Sequence, residues 1–408
     1  MSFNGNEIND NEHIKQPNNN LSEEDEEILK TLGVSTNNKK DKLNESLSKD
    51  SQKVDNNKEN KSKIEENEDK EADNKYIKRY MGDSRLNGIT FQSTAEGNII
   101  NLAVSSLNMN PNNNISILSF NQEDQEEEDK NINTVNNNNA IILKSKVECN
   151  FPVSSILFSP HIENKNLLIS TSDLLYLYSY DNEKISLNAA FTKRRKDYCG
   201  PLTACDWSHV NNSIVGVSSV DSTCSLWDLN KKEVTYMAIA HDKEVYDISL
   251  GPDEFTFMST GADGSVRLFD SRTANSVNIL FETKEKIPLT RIKWNLLNPN
   301  FILTVVVDKN EIYVLDQRNL NDPYAILKVH TNVVNNAIWA PQSNTNLISV
   351  SDDKSALIWD IYCDSNKPEE FIMKYEAKHE IENVSWGDVT KNWIGIIDGN
   401  QAEVLRIQ

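Results

Sequence analysis

The feature that most restricts how this chain can fold is a short ending that returns along it at near-constant spacing. Leu226-Trp-Asp-Leu229, Leu268-Phe-Asp270, Val314-Leu-Asp316 and Ile358-Trp-Asp-Ile361 are copies of it. Ile117-Leu-Ser-Phe120, Leu177-Tyr-Ser-Tyr180 and Val404-Leu-Arg-Ile407 are weaker copies. Aligned on Leu118, Tyr178, Trp227, Phe269, Leu315, Trp359 and Leu405, the intervals are 60, 49, 42, 46, 44 and 46 residues. Between the copies lie short apolar runs separated by Asn, Asp, Gly and Ser, with almost no segment of helical period. A unit of roughly 40–45 residues made of short strands cannot bury its own faces, and it folds by standing beside its neighbours in a ring. Seven anchors predict an all-β, seven-bladed β-propeller.

Two further markers sharpen the unit. Trp207, Trp294, Trp339 and Trp386, with Phe158 earlier, each end an apolar strand and precede a polar turn, as in Ser159-Pro160 and Ala340-Pro341. An Asp stands six residues before three of the anchors: Asp221, Asp263 and Asp353. Two of these units also carry an upstream His (His241, His330) and a Ser (Ser259, Ser349). His330, Ser349, Asp353 and Trp359 are expected to form a buried hydrogen-bond chain that locks the turns. His241, Ser259 and Asp263 form an incomplete one, because Phe269 has no indole N–H. The same residue types suit a hydrolase, but an active site does not recur unit by unit, so no catalytic residue is assigned. His241, His330 and His379 fall in different units, which leaves no metal-ligand set and no cofactor site.

Composition divides the chain. Its 408 residues carry 42 Lys+Arg against 62 Asp+Glu, a net charge of −20, and its mean hydropathy is −0.58. Residues 1–74 are dominated by Asn, Lys, Glu, Asp and Ser and read as a disordered tail, too poor in apolar groups to offset the entropy of ordering. Within the tail, Leu21 to Gly33 has the signals of one short helix, with Ser22 as cap and Ile28, Leu29 and Leu32 on a shared face. Residues 75–408 are assigned to the propeller, with a polar insert at 121–139 lengthening its first interval. The chain ends three strands into its last unit, so Tyr76-Ile-Lys-Arg-Tyr80 is expected to supply the missing outer strand and close the ring. The acidic balance disfavours direct nucleic-acid binding. Five cysteines with no CxxC pair disfavour a disulfide framework. Without an apolar run long enough to span a bilayer or a leader pattern, a soluble protein of cytoplasm and nucleus is expected, with no membrane partner.

Longer stretches carry a resemblance. Gly200-Pro-Leu-Thr-Ala-Cys-Asp-Trp207, Ser218-Ser-Val-Asp-Ser-Thr-Cys-Ser-Leu-Trp227, Ala240-His-Asp-Lys-Glu-Val-Tyr-Asp-Ile248 and Gly261-Ala-Asp-Gly-Ser-Val-Arg-Leu-Phe-Asp270 are four of them, and Ala356-Leu-Ile-Trp-Asp-Ile361 is a fifth. Together they resemble the Transparent Testa Glabra/anthocyanin-regulator WD-repeat family, whose animal members are cullin-ligase-associated factors. The resemblance spans about residues 76–408 and weakens in the first two units. It implies a platform without catalysis, whose partners are proteins: MYB and basic helix-loop-helix regulators in plants, dual-specificity tyrosine-regulated kinases in animals. A monomer working inside a larger complex is expected.

Phe269-Asp-Ser-Arg272 and Leu315-Asp-Gln-Arg318 are similar to the Trp-Asp-x-Arg box through which WD-repeat receptors dock the cullin ligase's damage-binding adaptor. Asp270, Arg272, Asp316 and Arg318 are therefore candidate adaptor contacts, although each Arg can equally close its own turn. Lys193, Arg194, Arg195 and Lys196 fit a nuclear import signal or a basic loop. Trp393, outside the inner-strand pattern, is expected in the core of the last unit. The function expected is a scaffold that brings a kinase, transcription regulator or ubiquitin ligase to its substrates. The alternatives are a dedicated substrate receptor of a cullin-RING ligase and a structural subunit of a larger assembly.

Overall fold

A computed structural model describes residues 76–94, 97–109, 111–122, 141–192, 200–273, 277–362, 371–388 and 392–407. The tail helix at 21–33, the basic run 193–196, and almost all of the polar insert lie outside the described residues. The strands form seven antiparallel four-stranded sheets, each running from an inner to an outer edge. Blade 1 comprises β2 (Leu86–Phe91), β3 (Ile99–Ser106), β4 (Asn113–Asn121) and β5 (Ile142–Cys149). Blade 2 comprises β6 (Ser155–Phe158), β7 (Leu167–Thr171), β8 (Leu175–Asp181) and β9 (Lys184–Phe191). Blade 3 holds β10 (Leu202–Trp207), β11 (Ile214–Ser219), β12 (Thr223–Asp228) and β13 (Glu233–Ile239). Blade 4 holds β14 (Val245–Leu250), β15 (Thr256–Gly261), β16 (Ser265–Asp270) and β17 (Val277–Glu282). Blade 5 follows with β18 (Leu289–Trp294), β19 (Phe301–Val306), β20 (Ile312–Asp316) and β21 (Ala325–Leu327). Blade 6 has β22 (Val334–Trp339), β23 (Asn346–Ser351), β24 (Ser355–Asp360) and β25 (Phe371–Glu376). The molecule is a seven-bladed β-propeller.

Blade 7 is made from both ends of the chain: β26 (Ile381–Trp386), β27 (Trp393–Asp398) and β28 (Gln401–Arg406), with β1 (Ile77–Met81) as its outer strand. β1 pairs antiparallel with β28, from Ile77 opposite Leu405 to Met81 opposite Gln401. The seam is also stapled by side chains. Glu403, fully buried, accepts from Arg79 Nε at 2.6 Å and from the Tyr375 hydroxyl of blade 6 at 2.5 Å.

Burial explains why these segments are strands. Central strands such as β19 and β27 are buried on both faces and read as nearly continuous apolar runs, whereas outer strands such as β13 alternate half-buried and exposed. Apolar clusters bridge neighbouring sheets. One joins Phe301, Leu303 and Val314 of blade 5 to Val334, Trp339 and Trp359 of blade 6, and another joins blade 1 to Trp393, Ile397 and Val404 of blade 7. Trp393 is in this core, edge-on to Phe120 with ring centroids 5.0 Å apart. The anchors all fall on third strands, and in four blades the pairing to the outer strand shifts register at the anchor. The tight turns between second and third strands need left-handed backbone at Ser222, Gly264 and Lys354, with φ of 64°, 76° and 67°. Only Gly264 has no room for a side chain: a Cβ there would sit 2.7 Å from the Ile287 carbonyl oxygen.

We call the face where the inner strands begin the upper face and the face where they end the lower face. Turns between second and third strands lie on the upper face, and turns between third and outer strands lie on the lower face.

Candidate interaction faces of the propeller

On the upper face the sequence-predicted groups of blade 6 meet. The indole Nε1–H of Trp359 donates to Ser349 Oγ at 2.9 Å, and Ser349 Oγ lies 2.7 Å from His330 Nε2. His330 Nδ1 lies 2.9 Å from Asp353 Oδ2. Because an indole N–H only donates, the Ser349 proton points to His330 Nε2, and the imidazole carries its own proton on Nδ1 toward Asp353. Burial holds the His330 pKa below its ordinary value despite the Asp353 hydrogen bond, so the ring is neutral at pH 7. Asp353 also accepts from the main-chain N–H of Thr331 and from Ser355, which ties the incoming loop to the tight turn.

Blade 4 repeats the arrangement without the indole. His241 Nδ1 is 2.9 Å from Asp263, and His241 Nε2 is 2.7 Å from Ser259 Oγ. Phe269 stacks instead on Phe257, centroids 4.8 Å apart. Arg267 adds a second brace, donating to Asp263 and Asp242 at 2.8 Å each and to the Ala240 carbonyl at 3.1 Å. Burial alone would raise the Asp263 pKa, but the His241 and Ser265 bonds outweigh it and hold it well below the usual range. Ser259 and Ser349 are fully buried beneath these turns, so neither hydroxyl is open to a substrate.

The inner strands line a cavity of 260 Å³ at the centre of the ring. Alternate positions point inward, giving one ring with Ser155, Asp247, Arg291, Asn336 and Asn383, and a second with Thr90, Asp206, Lys293 and Ser385. These groups bind neighbouring blades. Asp206 accepts from the Leu250 N–H at 2.7 Å, Asp247 from the Ile292 N–H at 3.0 Å, and Asn336 donates to Asn383 at 2.7 Å. Lys293 Nζ lies 3.4 Å from Asp247. Burial would lower the Lys293 pKa, but Asp247 and Asp206 outweigh it, so the ammonium stays charged and neutralises the channel wall from inside. Sequence reasoning missed this ring. Its signal was present as a period-two polar alternation in β14, β18 and β26: Asp247 and Ser249, Arg291 and Lys293, Asn383 and Ser385.

On the lower face, Arg272 and Arg318 occupy matching places on adjacent blades. Arg272 Nε and Nη2 donate to Asp270 at 2.9 and 2.6 Å, and Arg318 donates to Asp316 at the same two distances. The side chains remain 59% and 62% exposed, so each fork is presented to solvent. The Arg272 hydrogen bonds hold the Asp270 pKa down to about 2, and Arg318 lowers Asp316 in the same way. Arg272 also lies over the Phe255 ring, 4.8 Å from its centroid. Two aromatic residues that sequence reasoning passed over stand beside them: Tyr324 and Tyr362, which flank buried Phe301 at 5.1 and 5.9 Å. Among the described residues no group of three or more His, Cys, Asp or Glu is placed to hold a metal ion.

Comparison with known proteins agrees with this architecture. The WD domain, G-beta repeat, matches residues 232–270 and 321–360, which contain the third strands of blades 4 and 6. The chain is 35% identical over 262 residues to the DDB1- and CUL4-associated factor 7 homolog of Dictyostelium discoideum, an alignment covering 63% of this chain and 80% of that protein. An uncharacterized WD repeat-containing protein of Schizosaccharomyces pombe is 26% identical over 75% of this chain and 84% of its own length. A WD repeat-containing protein of Saccharomyces cerevisiae is 30% identical over 52% of this chain, an alignment that covers 48% of the yeast protein. Repeat, ring closure and similarity across most of the Dictyostelium protein converge: the chain belongs to the WD-repeat family of DDB1- and CUL4-associated factor 7 homologues.

Proposed function

We propose that this protein is a non-enzymatic interaction platform that brings a ubiquitin ligase, a kinase or a transcription regulator to its substrates. The observation that carries this reading is the pair of solvent-facing Arg–Asp forks on the lower face of blades 4 and 5. The name of the Dictyostelium relative associates it with DDB1 and CUL4. Brought to this chain, that association makes a DDB1-type adaptor of a cullin ligase the partner expected at Arg272 and Arg318. A dedicated substrate receptor of such a ligase is the second reading, favoured by the same two forks. Kinase and regulator partners rest on the resemblance to the Transparent Testa Glabra branch and its animal counterparts. Placement in nucleus as well as cytoplasm rests on the basic run 193–196.

Charge reversal tests the central element. The double variant Arg272→Glu/Arg318→Glu is expected to lose co-purification of the adaptor while keeping the wild-type melting curve. Both guanidinium groups are exposed, and Asp270 and Asp316 keep the main-chain N–H bonds that hold each turn, so the fold should tolerate the change. Undiminished adaptor recovery with the double variant would overturn the reading.

A further inference from the structure

Blades 3 to 6 repeat one lower-face turn with unchanged geometry. The main-chain N–H groups of Asn230, Arg272, Arg318 and Tyr362 each donate, at 3.0 Å, to the Asp two residues earlier. The turn therefore delivers these four side chains to equivalent places along one arc of the rim. Two of them are Arg, and the next in line, Tyr362, is paired with Tyr324 at a centroid distance of 6.3 Å. Leu297, in the blade 5 loop that Gln317 ties down through the Pro299 carbonyl at 2.6 Å, is exposed on the same face.

We propose that the arc Arg272–Arg318–Tyr362 is one docking surface for a partner segment with a stated chemistry. The segment presents uncharged main-chain carbonyls to the two guanidinium groups and an apolar side chain to the Tyr324–Tyr362 pair. This rests on the reading of the lower face as the adaptor surface and names what the adaptor must bring to it.

Charge bookkeeping selects the acceptor. Each guanidinium already lies against its own carboxylate through Nε and Nη2, so each fork is electrically neutral. Nη1 of Arg272 and of Arg318 has no hydrogen-bond partner among the described residues. A partner carboxylate placed there would meet an Asp a few ångströms behind the Arg, and most of its attraction would cancel. A carbonyl oxygen gains the free N–H without that repulsion. Tyr324 and Tyr362 are 43% and 51% exposed although both pack on a buried ring, and Phe255 holds Arg272 from below. Aromatic residues interleaved with Arg are the composition of a binding hot spot rather than of ordinary surface.

The test uses the full-length chain and a purified DDB1-type adaptor, with affinity measured by calorimetry in a salt series. Wild type is expected to bind with a Kd that changes less than about threefold between about 50 and about 300 mM salt, because neutral groups meet. Tyr324→Ala/Tyr362→Ala is expected to weaken binding about tenfold or more. Tyr362→Arg installs the residue that the neighbouring blades carry at this place, so it keeps the turn, and it is expected to weaken binding as well. A Kd that rises tenfold or more with salt would overturn the neutral-acceptor assignment. Full affinity in Tyr362→Arg, together with loss in Arg272→Glu/Arg318→Glu, would overturn the arc while leaving the adaptor reading intact. An adaptor that does not bind wild type overturns both.

Discussion

Trp359 shows how far one N–H reaches. It fixes the Ser349 proton, the Ser349 proton fixes the tautomer of His330, and that tautomer presents Nδ1–H to Asp353. Trp359→Phe installs the anchor that blade 4 carries, an aromatic ring without the donor, so it should lower unfolding stability by about 1–2 kcal/mol in urea titration. A loss above about 4 kcal/mol would mean the ring's packing, not its N–H, had been disturbed. The neutral imidazole has its own signature. Its folded pKa lies below the ordinary value of 6.5, so the unfolded chain takes up a proton first as pH falls. Stability contributed at this site is present above about pH 6.5 and declines below it until the folded ring also protonates. Wild type should lose stability between about pH 7 and pH 5.5, and His330→Gln should flatten that part of the slope. An unchanged slope would contradict the neutral-ring assignment. The lock residues were legible in sequence because their spacing recurs. Lys293 was not, since its meaning depends on Asp206 and Asp247 arriving from two other blades.

The element on which the fold turns is β1. Five residues paired to β28 give blade 7 its fourth strand, and Arg79 brings a cation to buried Glu403. Removing the strand opens an edge along β28 and takes that cation away, and a buried carboxylate stripped of its partner is costly. Deletion of residues 1–70 should therefore leave the melting temperature unchanged, whereas deletion of 1–84 should lower it by well over about 5 °C, read by calorimetry. Equal melting temperatures would sink the closure account. The strand was legible because the last anchor, Leu405, lies on the third strand of its blade, which leaves a fourth place vacant, and a strand-like segment stands ready upstream. Its bounds lie one residue on from the expected 76–80, at Ile77–Met81, and its register is set by the pairing with β28 alone, since no turn joins the two. The lower-face arc was half legible. Arg272 and Arg318 share a visible motif, but Tyr362 hides in a copy whose last residue differs, and Tyr324 comes from a loop outside any repeat.

Taken whole, the propeller gives an acidic chain two chemically different faces. The larger part of the excess negative charge lies outside residues 1–74, a balance that favours basic protein partners over nucleic acid. Within that field the lower arc is locally neutral and aromatic, and the upper face is occupied by turns locked from beneath. The proposed docking arc would put the adaptor on the lower face and leave the upper face and channel mouth to other partners. Lysines mark both sides. Lys184, Lys231 and Lys232 are exposed on lower-face turns, while Lys243, Lys286 and Lys354 are exposed on the upper face. Cross-linking mass spectrometry of the complex purified with its adaptor reads the difference directly. Adaptor cross-links should concentrate on Lys184, Lys231 and Lys232. A pattern confined to Lys243, Lys286 and Lys354 would contradict the assignment of the lower face as the docking surface.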